Sequence, residues 1–243
     1  MTAYGEPRFL IAGDRAIVVE LGDTIEPAIN GRVHALLHAV EDDSLAGVTD
    51  LVPSYRSLLV NYDPLATSVD DLRSRLGEIH DGLEASAAES ARTVLLPTLY
   101  GGEHGPDLDF VAEHAGMSTD EVVRTHSSVD YPVYMIGFTP GFPYLGNIPE
   151  ALATPRLSAP RSSIPAGSVG IAETQTGVYS VDSPGGWRLI GRTPLDLFDA
   201  RRYPPALLAS GDSVRFVPLA DQDDFSEVRS QVEAGQYQPE AGA

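Results

Sequence analysis

The chain contains no cysteine and, among its sixteen basic residues, no lysine. The first absence removes disulfides, thiolate nucleophiles and thiolate metal sites. The second removes chemistry that needs an amine arginine cannot replace: the lysine of a P-loop, Schiff-base catalysis, and the Ser-Ser-Lys set of amidase-signature hydrolases. No apolar run approaches the ~20 residues that span a bilayer, and the opening MTAYGEPRFL lacks the charged and apolar regions of a signal peptide. A cytoplasmic location is the expectation. With 243 residues, 42% hydrophobic and 21% charged, the chain can build one large or two small domains with cores of their own.

What charge there is lies unevenly. Residues 1–125 carry a net −14, residues 126–220 are neutral, and residues 221–243 carry −5, for −19 in all. An acidic exterior favours solubility and repels polyanions, so nucleic acid and anionic membranes are poor partners. The neutral block, with Arg156, Arg161, Arg188 and Arg192, is where a small anion would be held.

The first third reads as α+β. RFLIAGDRAIVVELG offers two strands around Ala12-Gly13-Asp14, and IEPAINGRVHALLHAVED places Ile29, Val33, Leu36, Leu37 and Val40 on one helical face. GVTDLVPSY and RSLLVNYD read as strands, and Ser68 with its acidic first turn opens a second helix. Counting the strand at TVLLPTL, this order predicts a ferredoxin-like domain over residues 1–88. The small polar stretch EASAAES marks the boundary. In residues 89–243, GPDLDFVAEHAGMSTDEVVRTHSS predicts two short helices capped by Asp107 and Ser118. From Tyr131 to Pro218, short β-type runs (PVYMIGF, SVGIAE, GVYSVD, WRLIG, LDLFD, SVRFVPL) alternate with Pro and Gly turns, the pattern of a small barrel or sandwich. DQDDFSEVRSQVEAG reads as a closing helix.

Several motifs have competing readings. The two-helix stretch is similar to a DNA-binding helix-turn-helix, but its second helix sets Asp120 and Glu121 against one arginine, so phosphate repulsion favours a cap on the barrel. AGSVG outlines a nucleophile elbow at Ser168, yet Pro165 precedes it closely and β-type sequence follows, so Ser168 is read as a turn or binding residue. His34 and His38 share a helical face without a carboxylate partner, and no metal site is assigned. His126 reads either as a core or capping histidine or as a general base. GFTPGFPYLG, residues 137–146, is too broken by proline for a helix and predicts a rigid, shaped loop whose Phe138, Phe142 and Tyr144 wall a pocket or plug a barrel end. In SPGGWRLIGRTPLDLFD, a turn explains the glycines and barrel strands explain the apolar residues. The two guanidiniums, Arg188 and Arg192, are better explained by an anion.

YMIGFTPGFPYLG followed by TPRLSAPRSSIPAGSVGIAETQTGVYSVDSPGGWRLIGRTPLDLF resembles the family of the B-type 5-oxoprolinase subunit, Kip-type histidine-kinase inhibitors and allophanate hydrolase subunit 1, and LPTLYGGEHGPDL upstream agrees. The resemblance implies a mainly β cyclophilin-like barrel with a helical cap and C-terminal helix after a smaller α+β domain. It further implies a companion cyclophilin-like subunit, of the C type in 5-oxoprolinase or of the allophanate hydrolase subunit 2 type, sometimes fused, and in 5-oxoprolinase a third subunit. The activity it implies is ATP-dependent opening of 5-oxo-L-proline to L-glutamate, with ATP and any divalent cation shared with partners. A carboxyltransferase-like or allophanate hydrolase subunit and a kinase inhibitor are the alternatives. On this resemblance Phe138, Pro140, Gly141, Phe142, Arg156, Ser168, Gln175, Tyr179, Gly186 and Trp187 would contact substrate, and His126, Arg161 and Arg192 are the catalytic candidates.

Overall fold

The structure, a computed structural model, describes residues 3–83, 92–239 and 241–242. The chain divides into two compact units, residues 1–91 and 92–243. The stretch EASAAES, read as the boundary, lies outside the described residues.

The first unit runs β1 (Ala3–Ile11), β2 (Ala16–Gly22), α1 (Pro27–Asp43), β3 (Val48–Pro53), β4 (Ser57–Tyr62) and α2 (Val69–Gly82). Its strands form one antiparallel sheet in the order β1-β2-β4-β3. Alternation sends Ile17, Val19 and Leu21 of β2 and Leu58, Val60 and Tyr62 of β4 to one face. There they meet Ile29, Val33, Leu36 and Val40 of α1 and Leu72 and Leu76 of α2, spaced three and four apart so that each helix buries one stripe. The α2 N-terminus is capped as the sequence predicts, the Ser68 hydroxyl accepting from the Asp71 N–H.

The ferredoxin-like expectation for residues 1–88 is overturned. Such a domain needs the order βαββαβ, whereas this unit runs ββαββα, and the strand expected to complete it, at residues 93–100, pairs within the second unit. A short apolar strand carries no local mark of the sheet it will join, which is why the sequence reading placed it wrongly.

The second unit begins with that strand, β5 (Thr93–Tyr100), and continues with α3 (Leu108–Ala115), α4 (Thr119–Ser127), β6 (Tyr131–Ile136) and β7 (Pro143–Leu145). Then come β8 (Arg161–Ile164), β9 (Ser168–Ala172), β10 (Gln175–Val178), β11 (Ser183–Gly185), β12 (Arg188–Arg192), β13 (Ser213–Pro218) and α5 (Gln222–Glu233). Among the described residues, strands in the order β12-β9-β10-β7-β6-β13-β5 close on themselves through a β12–β5 pairing. The result is a mixed barrel, with β13 and β5 parallel and the other pairs antiparallel. This closed barrel fits the cyclophilin-like part of the expectation. Val94, Leu96, Val133, Leu145, Val169, Ile171, Val178, Ile190, Val214 and Phe216 fill it.

The helix-turn-helix-like stretch is part of this core, since Val111 and Ala112 of α3 and Val122 of α4 are buried with the barrel residues. Gly116 ends α3 with φ +67, and a reciprocal Ser118–Glu121 capping box opens α4. The run LDLFD, expected as a strand, instead enters a hairpin held by a single Phe198–Ala206 bridge. Pro204 and Pro205 opposite it remove the N–H groups a longer ladder would need. Among the described residues, no helix is long and apolar enough to cross a membrane.

Candidate functional site

GFTPGFPYLG joins β6 to β7 and sets an aromatic cluster against β10, β11 and β12. Phe142 is its hub: ring centroids lie 5.5 Å away for Phe138, 5.0 Å for Tyr144, 5.4 Å for Tyr179 and 5.7 Å for Trp187, all edge-to-face. Phe142, Tyr179 and Trp187 are buried, Tyr144 is half-buried and Phe138 is exposed. Glycines make the packing possible. A Cβ on Gly177 would lie 2.9 Å from Trp187 Cζ3 and 3.1 Å from Phe142 Cζ, and one on Gly185 would overlap the Tyr179 hydroxyl. Gly185→Ala should therefore displace Tyr179 and cost about 1–3 kcal/mol, the usual range for overpacking. Denaturant midpoints of the two proteins check this, and equal midpoints would refute the packing account.

Guanidiniums rim this cluster. Arg156 lies 6.0 Å from the Trp187 ring and has no carboxylate partner among the described residues. Burial pushes the Tyr179 hydroxyl up, opposed by a backbone hydrogen bond from Trp187 and by the charges of Arg156 and Arg161. Tyr144 is also pushed up by burial and opposed by Arg156. Two phenols, an indole and a free cation thus share one face. Gly186 supports it from the side, its carbonyl accepting the Leu157 N–H at 2.8 Å.

Arg161 is committed elsewhere. Its two Nη atoms reach the Asp107 carboxylate at 2.9 and 3.0 Å, and Arg188 approaches the same carboxylate at 3.9 Å. The sequence reading took Asp107 as a helix cap, but its side chain makes no cap hydrogen bond. It accepts the Leu189 N–H at 2.7 Å instead, while its own N–H donates to the Leu189 carbonyl. Gly105 allows this docking, because a Cβ there would overlap the Ile190 carbonyl. Arg188 in turn stacks 3.6 Å over Phe110 and donates to the Pro155 carbonyl. Asp107 is thus a clamp between the α3 entry, β8 and β12.

The structure does not gather all the sequence candidates. Arg192 lies opposite Ser168 whereas Arg188 lies opposite Ile171, so Arg192 stands about 10 Å farther along the sheet. There its Nε donates to the Ala166 carbonyl at 2.8 Å, beside the turn that holds Ser168. Ser168 itself is buried and pairs through its backbone with Tyr179. Gln175 begins β10 at the mouth of the β9–β10 turn, and the Pro140 carbonyl accepts the Ser180 hydroxyl at 2.6 Å. His126 is not on the face at all. It is fully buried in the barrel, where burial lowers its pKa to about 3. Thr176 gives its hydroxyl hydrogen to the Gly170 carbonyl, so it must accept from His126 Nε2, leaving Nδ1 to accept from the Tyr100 hydroxyl at 2.8 Å. A neutral imidazole with both nitrogens engaged is a core element and not a poised base. Among the described residues, no group of His, Asp and Glu side chains is placed to hold a metal ion.

Residues 7–208 match the model of the carboxyltransferase domain, subdomain C and D. The chain belongs to this family. It is 43% identical over 225 residues to the B subunit of 5-oxoprolinase from Bacillus subtilis (strain 168), covering 87% of this chain and 92% of that protein. It is also 25% identical to the urea amidolyase of Saccharomyces cerevisiae (strain ATCC 204508 / S288c) across 87% of this chain, which is 13% of that enzyme. Among solved structures, that of TTHA0988 superposes with a TM-score of 0.75 at 38% identity, covering 85% of this chain and 40% of the longer one.

Proposed function

We propose that this chain is the B-type subunit of an ATP-dependent 5-oxoprolinase complex, which opens 5-oxo-L-proline to L-glutamate, and that it acts only together with companion subunits. The observation that carries this reading is the likeness to the Bacillus subtilis protein over nearly its whole length. The aromatic face suits such a substrate chemically. A carboxylate would meet the unpartnered Arg156, and a flat lactam ring would lie along Tyr144 and the rim of Trp187. ATP would supply activation of the lactam oxygen. This chain's part is to hold the carboxylate, exclude water with its aromatic walls and keep positive charge nearby through Arg161 and Arg188.

The test is 5-oxoproline-dependent ATP hydrolysis by the assembled subunits with and without this chain; equal rates would sink the proposal. Arg156→Ala should lower kcat/KM for 5-oxoproline by about 10- to 100-fold, the loss of one charge-assisted contact. Arg192→Ala, at the far end of β12, should change it by less than about threefold. The reverse ranking would move the substrate to the Ser168 turn. The urea amidolyase likeness favours a second reading, a carboxyltransferase-like subunit. Comparing 5-oxoproline with urea-derived substrates in the same complex ranks the two.

A further inference from the structure

Two aromatic side chains lie outside the substrate contact just proposed, and both project into water. Phe138 is 61% exposed and Tyr203 98% exposed. Neither is carried on a loose loop. Phe138 has φ +60, a region where a bulky side chain strains the backbone by about 1–3 kcal/mol. Across it the Thr139 N–H donates to the Gly137 carbonyl at 2.6 Å, while Gly137 N–H reaches the Phe142 carbonyl and Phe142 N–H the Thr139 carbonyl. The Ser180 hydroxyl ties the same loop to the barrel through the Pro140 carbonyl. Glycine or asparagine at 138 would remove the strain. Phenylalanine strains the chain and shows most of its apolar surface to solvent, in return for one edge-to-face contact with Phe142.

Tyr203 stands at the tip of the hairpin that LDLFD enters. The Asp199 N–H donates to the Pro205 carbonyl at 2.9 Å, and the Arg202 guanidinium spans the hairpin, donating to the carbonyls of Pro205, Pro204 and Leu197 at 3.0, 3.3 and 3.4 Å. Arg201 pairs with Asp199 beside it. The two features adjoin. Gly141, at φ +76, packs against the hairpin base so closely that a Cβ would lie 3.0 Å from Phe198 Cβ.

These segments also stand apart in charge. Residues 131–149 and 200–211 contain no acid in a chain with 35 of them. Exposed, preorganised aromatics beside arginine, with Asp199 already held by Arg201, are the composition of an interface centre, and rigidity before binding lowers the entropy lost on docking.

We infer that the edge formed by Phe138 and the Tyr203 hairpin docks the companion subunit of the complex; this rests on the reading above that the chain works as one subunit of several. In TTHA0988 and in the yeast urea amidolyase the matching region is a minor part of a longer polypeptide, so in these relatives it is held beside further protein by the chain itself, the counterpart of a separate companion here. In a chain of net charge −19, this edge carries few acids and its Asp199 is paired with Arg201, so a partner approaches it against little charge. The fitting partner surface has an apolar cup for the two rings, with carbonyl or carboxylate oxygens at its rim for the Tyr203 hydroxyl and Arg201.

Titration calorimetry of the full chain against the purified C-type companion tests this with Phe138→Asn, Tyr203→Ser and the double variant, alongside thermal melts. Asparagine accepts a positive φ, so Phe138→Asn should keep or raise Tm while weakening binding about tenfold, and the double variant should weaken it at least 100-fold. Unchanged Kd in the double variant overturns the proposal. So does a lower Tm for Phe138→Asn with unchanged Kd, which would make Phe138 a packing residue. Loss of self-association instead of companion binding would assign the edge to a second copy and also overturn it. Failure of the unaltered chain to bind the companion would refute the complex reading itself, and this inference with it.

Discussion

Asp107→Ala is expected to destabilise the barrel unit by about 3–5 kcal/mol, the usual effect of removing one partner from a buried ion pair. The carboxylate is 7% exposed and serves Arg161, Arg188 and the Leu189 N–H together. Without it two guanidiniums repel each other beside an unpartnered backbone donor. At about 2–4 °C per kcal/mol for a unit of this size, Tm should fall by roughly 10 °C. Asp107→Asn separates the two contributions. Its amide oxygen can still accept from Leu189 but cannot neutralise the arginines, so its Tm should lie between those of the alanine variant and the parent. The Arg156 face should loosen in parallel, because Arg188, which holds the Pro155 carbonyl, would lose its anchor. A Tm within about 2 °C of the parent in the alanine variant would show that the clamp carries no stability.

The second large effect is acid sensitivity from His126. In the unfolded chain its imidazole titrates near the ordinary ~6.5. In the barrel, burial lowers it to about 3; Nε2 already carries the proton it gives to Thr176, so a second proton must go to Nδ1, which accepts from the Tyr100 hydroxyl. Between these values the unfolded state binds the proton and the folded state does not. Stability is therefore fully present above pH 6.5 and falls as the pH drops towards 3, by about 5 kcal/mol over the window at about 1.4 kcal/mol per unit. Carboxylates titrate in the same range, so the measurement is a comparison: urea midpoints against pH for the parent and His126→Gln. The variant should be less stable at neutral pH yet show a shallower decline below pH 6.5. Parallel curves would mean that His126 takes its proton in the folded barrel.

Local pattern made much of this architecture legible. The stripe of α1, the Ser68 cap, the alternation in β2 and β4 and the Ser118 capping box are all written within one or two turns of chain. What escaped the sequence reading depends on partners far away. Asp107 stands before an apolar helix, the ordinary place of a cap, and only Arg161 and Leu189, 54 and 82 residues later, give it another task. His126 meets Thr176 after 50 residues, so its helix alone could not tell a core imidazole from a base. The arginines of the neutral block read as one anion site because spacing says nothing of direction; along β12 the structure sets Arg188 and Arg192 at opposite ends. The aromatic loop was the most legible part of the site. Proline and glycine at such density announce a fixed shape, though not which ring would face solvent.

The strand that completes the barrel also dictates an order of events. β5 begins the second unit, yet its parallel neighbour β13 lies 120 residues onward, Thr93 opposite Ser213. During synthesis its hydrogen-bonding edges stay open until nearly the whole unit has left the ribosome. Long-range closure of this kind is slow and leaves strand edges available for wrong pairings. Of the barrel strands, β5 is therefore the one whose edges stay open to a wrong partner for the longest part of synthesis.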